Sequence, residues 1–441
     1  MISFPRSCFA RAFFLAVALC MQALVQSACA GAKPPVTWID PDTKHRVWRL
    51  TDEPNSSGLY FNLNACTPDR KTLVYTAPGG IYVVDLATKK TRLLIADGTG
   101  EKHVSVINAG FKSNSVFVTR PEPNEKAGRR IRAIWKIDVY SGRMTKLAVL
   151  PAGTGTPSIN ADESLAAGTC DEGPVDPSLE YGFNPKAPVG ADGKPLVGSL
   201  VRPANKNQMM MRRFAAHIPL LLFTIDLKTG KTTTLLHTTD WLDHLLFSPT
   251  DASLLMYGHQ GPWQSLDPLW LIRTDGTENS NVEKRRMAME IAGHAFWAAD
   301  GGTMWYDLQT PIGVDYWLAG FNPKSHLRTW YHLQRGDWCL HYNVSSDGRL
   351  FCGDGGDPGP DRGQGSKWIE LFRPESVRIN GVNQPDFIQP GVLHSERLVN
   401  MSRHDYRLEP NARFTPDGKM VIFTSNMFGP GYVFGVEVNK L

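Results

Sequence analysis

Short apolar runs alternate with clusters of Asp, Gly, Pro and Ser along the chain, and no helical periodicity runs between them. One phrase recurs: an apolar strand, a polar turn, then a second apolar strand. It reads "NACTPDRKTLVYT" from Asn64, "SINADESLAAGT" from Ser158 and "LLFSPTDASLLMYG" from Leu245. It returns as "AFWAADGGTMWYD" from Ala295, "YNVSSDGRLFCGD" from Tyr342 and "ARFTPDGKMVIFT" from Ala412, with a weaker copy, "NAGFKSNSVFVTR", from Asn108. Several copies are followed by a second hairpin, such as "IYVVDLATKKTRLLI" and "LLFTIDLKTGKTTTLL". Each pair of hairpins supplies about four strands, in units of roughly 45 to 50 residues, which is the size of a propeller blade. The fold class expected is all-β: a seven-bladed β-propeller, one domain over residues 31–441. Two long intervals between markers read as blade insertions. One of them, residues 170–215, includes "NKNQMMMRRF", a candidate short helix that would carry Arg212 and Arg213 over the channel.

In a propeller the innermost strand of each blade lines the central channel, and here that strand precedes the marker turn. Taking the residue four before each turn gives Leu63, Asn108, Thr156, His244, His294, His341 and Asn411. Equivalent positions on neighbouring blades converge at similar depth, so three imidazoles and an amide would share one level. Such a set suits a metal site combined with a base. In "SRHDYRLEPNARF", Glu409 and Asn411 are two apart and would face one side of a strand. With His341 they offer donors for a hard or borderline divalent cation, and His404 adds a nitrogen nearby. His259 in "GHQGPW" follows the His244 turn. Asp354 and Asp357 in "GDGGDPG" read as turn residues, and Cys339 as a core thiol.

Composition changes this picture little. A formal net charge of +4 over 441 residues gives no reason to expect nucleic acid. The N-terminus does add something. Arg6 and Arg11 precede the apolar run "AFFLAVALCMQALV", which ends at "ACA". That pattern marks residues 1–30 as a signal peptide and the protein as periplasmic or secreted. The run is short for a bilayer, and no second span follows, so no stable membrane span is expected. Three of the seven cysteines lie in this segment, leaving too few for a disulfide framework.

At these residues the sequence resembles the oligogalacturonate lyase family of seven-bladed polysaccharide lyases. The phrases that carry the resemblance are "DWLDHLLFSPTD", "GHQGPW", "AMEIAGHAFW", "CLHYNVSSDG", "GDGGDPG" and "LEPNARFTPDG", in the family's order. The resemblance implies cleavage of α-1,4-linked galacturonides by β-elimination, with Mn²⁺ or another divalent cation as cofactor. It assigns His294 as the base. It assigns the metal to His341 and the "EPNARF" strand, with Glu409, Asn411 and His404 as the available donors. His244, His259, Arg212 and Arg213 are the candidates to bind the acidic oligosaccharide. This chain departs from the family pattern twice. Glu409 and Asn411 stand where the pattern has histidines. Pro268 and Leu269 stand where an arginine is expected before the tryptophan of "LDPLW". A lyase for another uronic-acid oligosaccharide and a non-catalytic periplasmic propeller are the alternatives. Oligomeric state, monomer or dimer, is open.

Overall fold

The computed structural model describes residues 33–97, 103–122, 131–173, 206–359, 363–378 and 387–440. The proposed signal peptide and most of the insertion lie outside these residues. The alternating pattern forms β-strands throughout. Among the described residues, six consecutive groups of four antiparallel strands and one closing sheet make seven blades. The closing sheet holds five strands. Its inner three, Arg413–Phe414, Met420–Ser425 and Tyr432–Glu437, come from the C-terminus. Its outer two, Thr37–Ile39 and Arg46–Arg49, come from the N-terminal side. Pairing these segments closes the ring and covers the edge of Tyr432–Glu437, leaving the three-residue Thr37–Ile39 as the outermost strand.

Alternation along each strand sends every second side chain toward a neighbouring blade, so the core divides into clusters between blades. One cluster joins the closing sheet to the blade before it, through Phe414, Phe423 and Phe434 against Cys352, Ile369 and Leu371. The blades beginning at Ile291–Trp297 and at Tyr342–Val344 are also joined at their outer edges. There Arg328–Leu333 pairs in parallel with Ile388–Asn400, a long outermost strand. The repeat pattern does not encode this link.

Two features determine the shape of the channel. The candidate helix exists, at Lys206–Ala216. It packs near "GHQGPW", where a Cβ on Gly261 would lie 3.1 Å from Phe214. The second feature is the segment 59–64 between the first two strands of the first blade. It enters the channel and divides it, with Phe61 and Asn62 lining a cavity of about 410 Å³ toward the marker turns. Tyr60 and Asn62 line a second cavity, of about 400 Å³, on the other side. Leu63 therefore lies in a loop rather than in the channel-lining strand expected from its place in the repeat.

Arg413 pins this plug. Its guanidinium is buried and donates to three main-chain carbonyls of the segment, Leu63 O and Tyr60 O (both at 2.6 Å) and Leu59 O. Burial without a carboxylate pulls its pKa down to about 10. Asn62 anchors the other side of the plug, donating to Ala295 O at 2.9 Å.

Candidate active site

The second cavity gathers His244, His259 and His294, with Tyr60, Glu409, Asp307 and Met210 also in its wall. The repeat slot therefore does converge. How it converges could not be read from alternation. His244, His294 and Asn411 all have left-handed backbones, with φ of 53°, 48° and 55°. For the two histidines the cause is a β-bulge. Asp243 pairs with Gly258 and Leu246 with Met256, so His244 and Leu245 together oppose Tyr257. In the next blade Gly293 pairs with Asp307 and Phe296 with Trp305, so His294 and Ala295 oppose Tyr306. A bulge re-aims a side chain at the cost of a conformation that L-residues avoid. The same device on adjacent blades, filled by histidine rather than glycine, indicates that the ring direction has functional value.

His341 is held differently. Its ring does not reach the cavity wall. It is fully buried, stacked on Phe61 at 4.5 Å between centroids and edge-on to Tyr60 and His294, each at 5.2 Å. Asp354, also fully buried, accepts from the His341 main-chain N–H at 2.9 Å and from Nδ1 at 2.8 Å. This bond assigns the proton to Nδ1 and the lone pair to Nε2, a buried nitrogen with no hydrogen-bond partner among the described residues. The second oxygen of Asp354 also accepts from the Asn411 main-chain N–H at 3.0 Å. Asp354 thus ties two blades together. From the sequence alone Asp354 reads as a turn residue. The one signal that could have marked it is its place just after Phe351–Gly353, the strand that pairs with Tyr342–Val344, which His341 immediately precedes.

The other expected site residues divide into those that meet and those that do not. His259 is in the wall, its Nδ1 2.9 Å from Asp240 and its ring against Trp270. Burial lowers its pKa, against the opposing pull of Asp240. Arg213 is engaged elsewhere, bonded to Asp171 at 2.8 Å over the Trp241 ring. Met210, and neither Arg212 nor Arg213, is the side chain this helix contributes to the cavity wall. His404 is buried with both nitrogens bonded: Nε2 to Leu408 O at 2.8 Å, Nδ1 to Ser425 Oγ at 3.1 Å. Burial holds its pKa down. Glu409 and Asn411 do not share a strand face, because regular pairing begins only at Arg413. Glu409 is exposed on the cavity wall. Asn411 is buried, and its amide is committed, Oδ1 accepting from Phe61 N–H at 3.0 Å and Nδ2 donating to Glu409 O at 3.1 Å.

These residues do not fit the divalent-ion set that the resemblance implies. Among the described residues, no group of three His, Cys, Asp or Glu is arranged to hold a metal. One suitable nitrogen, His341 Nε2, is packed beneath Phe61, and the amide and imidazole expected to join it are bonded to protein. Tyr60 completes the site. Burial, then the negative charges of Glu409, Asp354 and Asp243, push its phenol well above the usual range, so it stays protonated.

A sequence-family profile described as "Oligogalacturonate lyase" matches residues 205–440. The chain is 28% identical over 422 residues to the oligogalacturonate lyase of Dickeya dadantii, covering 91% of this chain and 95% of that one. It is 27% identical over 225 residues to the oligogalacturonide lyase of Pectobacterium atrosepticum, covering 49% of this chain and about half, 55%, of that relative. Among solved structures, an oligogalacturonate lyase in complex with manganese superposes with a TM-score of 0.68 at 22% identity, covering 93% of this chain and 98% of that one. The oligogalacturonate lyase of Vibrio parahaemolyticus superposes with a TM-score of 0.70 at 19% identity, covering 92% and 96%. At these identities the structural likeness speaks to the fold.

Proposed function

The chain belongs to the oligogalacturonate lyase family, and on that premise we propose that it cleaves α-1,4-linked galacturonides by β-elimination, with His294 as the base. The observation that carries this reading is the convergence of His244, His259 and His294 with Tyr60 on one cavity of about 400 Å³. The C5 hydrogen of a uronide is α to the C6 carbonyl, so a base near neutral pKa can remove it. His294 takes that proton. The C5–H electron pair becomes the C4=C5 double bond, and the C4–O bond breaks with its pair on oxygen. Tyr60, kept protonated in the same wall, returns a proton to the departing oxygen.

His341 and Asp354 support this chemistry from below. The Asp354 bond fixes the His341 ring, and that ring meets His294 edge-on at 5.2 Å. Manganese belongs to the solved relative, and no step here is assigned to a metal, because the donor set of this chain does not fit one. The N-terminal pattern supports an exported location, periplasmic or secreted. N-terminal sequencing of the exported protein, expected to begin near Gly31, tests that point.

The deciding experiment is incubation of the purified protein with galacturonide oligomers, following the ultraviolet absorbance of the unsaturated product. Wild type forms it and His294→Ala does not. Full turnover by that variant rules out His294 as the base.

A further inference from the structure

The wall around His294 is poorly matched to a free carboxylate. Where the resemblance expects an arginine, Pro268 and Leu269 line the cavity, and Met256, Trp263 and Leu266 continue an apolar surface. The charged side chains that line it are the carboxylates Glu409 and Asp307, and among the described residues the lining includes no lysine or arginine. Asp307 also accepts from Trp338 Nε1 at 3.1 Å, which holds it at the wall.

A galacturonate carboxylate entering this cavity would lose water beside like charge. Like charges that close repel, and they do so several-fold more strongly where water is excluded. Elimination deepens the problem, because removing the C5 proton puts a second negative charge on the same carboxylate. A metal or an arginine would carry that charge, and the described lining provides neither. A methyl ester at C6 removes both difficulties. It is neutral on entry, its enolate carries a single charge, and its α-hydrogen is more acidic than that of a carboxylate. The substituted metal donors, the Pro268–Leu269 step and the acidic wall then have one explanation.

We propose that this site takes methyl-esterified galacturonides, with the ester on the residue that loses its C5 proton. The inference rests on the lyase reading and refines its substrate. The step balances as before. His294 gains the C5 proton, the C4–O bond breaks, O4 is protonated from Tyr60, and the ester passes into the unsaturated product unchanged. No oxidant, reductant or second substrate is needed.

The test compares kcat/KM on methyl-esterified and de-esterified trigalacturonide, each with and without EDTA, alongside calorimetric binding of both to wild-type protein. The ester is expected to be preferred by at least about tenfold, equivalent to 1.4 kcal/mol, and EDTA to leave the rate unchanged. Equal or better turnover of the free acid overturns the proposal, as does loss of ester turnover in EDTA. Glu409→Gln supplies an independent sign. Removing that charge should raise free-acid turnover several-fold relative to ester. A drop instead would mean that Glu409 serves a cation, and the proposal fails. If neither substrate yields unsaturated product, the lyase reading itself fails. Binding of the ester but not the acid would still report the specificity of the cavity.

Discussion

Asp354 accepts both the main-chain N–H and the ring Nδ1 of His341, at 2.9 and 2.8 Å, and neither residue touches solvent. A carboxylate in that position decides which nitrogen of the imidazole keeps its lone pair. Asp354→Asn is expected to turn the tautomer over, because an amide nitrogen would face Nδ1 as a donor. Nitrogen-15 NMR of the His341 ring reads this directly, and an unchanged tautomer would refute the assignment. Loss of charge-assisted bonds to His341 and Asn411 should also cost about 2–3 kcal/mol in denaturant unfolding.

His294 holds a φ of 48° at its bulge, so its side chain and its backbone strain can be separated by mutation. His294→Ala and His294→Gly should both lose about 10²–10⁴-fold in turnover, the usual contribution of a general base. They should differ in stability. Glycine relieves the left-handed strain, and we expect the glycine variant to be about 1 kcal/mol more stable than the alanine variant in urea melts. Equal stability would mean that the bulge stores no strain.

Arg413 supports Tyr60 through the plug. Arg413→Met leaves the carbonyls of Leu59 and Leu63 without their donor, while Tyr60 O keeps the Leu63 N–H at 3.0 Å. At about 1–3 kcal/mol for each buried group left unsatisfied, the loss should be about 2 kcal/mol or more. Arg413→Lys should recover less than half of it, because one ammonium cannot reproduce the fork. Thermal melts of the two variants against wild type decide the point.

Glu370 predicts a pH dependence of stability. Burial raises its pKa from 4.5 to about 8, with Ser366 donating a hydrogen bond to it. Folded protein therefore keeps a proton on Glu370 that unfolded protein has released between these two values. Stability from this group is fully present below about 4.5 and is lost as pH rises through about 8, at up to about 1.4 kcal/mol per pH unit. Glu370→Gln should flatten this decline and melt above wild type at pH 8. A parallel profile for the variant would exclude Glu370 as the source.

The four cysteines of the described residues, Cys66, Cys170, Cys339 and Cys352, are free thiols. The histidine slot was legible for the same reason as the blades. Both follow from position relative to a marker turn, and a turn is a local event written in a few consecutive residues. Glu409 and Asn411 show where that logic fails. Two-residue spacing implies a shared face only on a strand, and the main-chain bond from Asn411 to Asp354 bends the segment before the strand begins. His404 resembled a spare ligand because sequence cannot reveal that Leu408 O and Ser425 Oγ already occupy its nitrogens.

By itself, then, the sequence determined the all-β repeat, the seven blades, the level at which His244, His294 and His341 meet, and a resemblance confined to ordered phrases. These depend on periodicity and turn chemistry, which act over a dozen residues or fewer. Tertiary structure alone decided which of those groups face the cavity and what state each is held in. Asp354 orients His341 from 13 residues away, Arg413 carries a plug about 350 residues distant, and the outer strands of two blades join in parallel. Such contacts depend on ring closure, which brings remote segments together through packing and leaves no periodic trace in the chain.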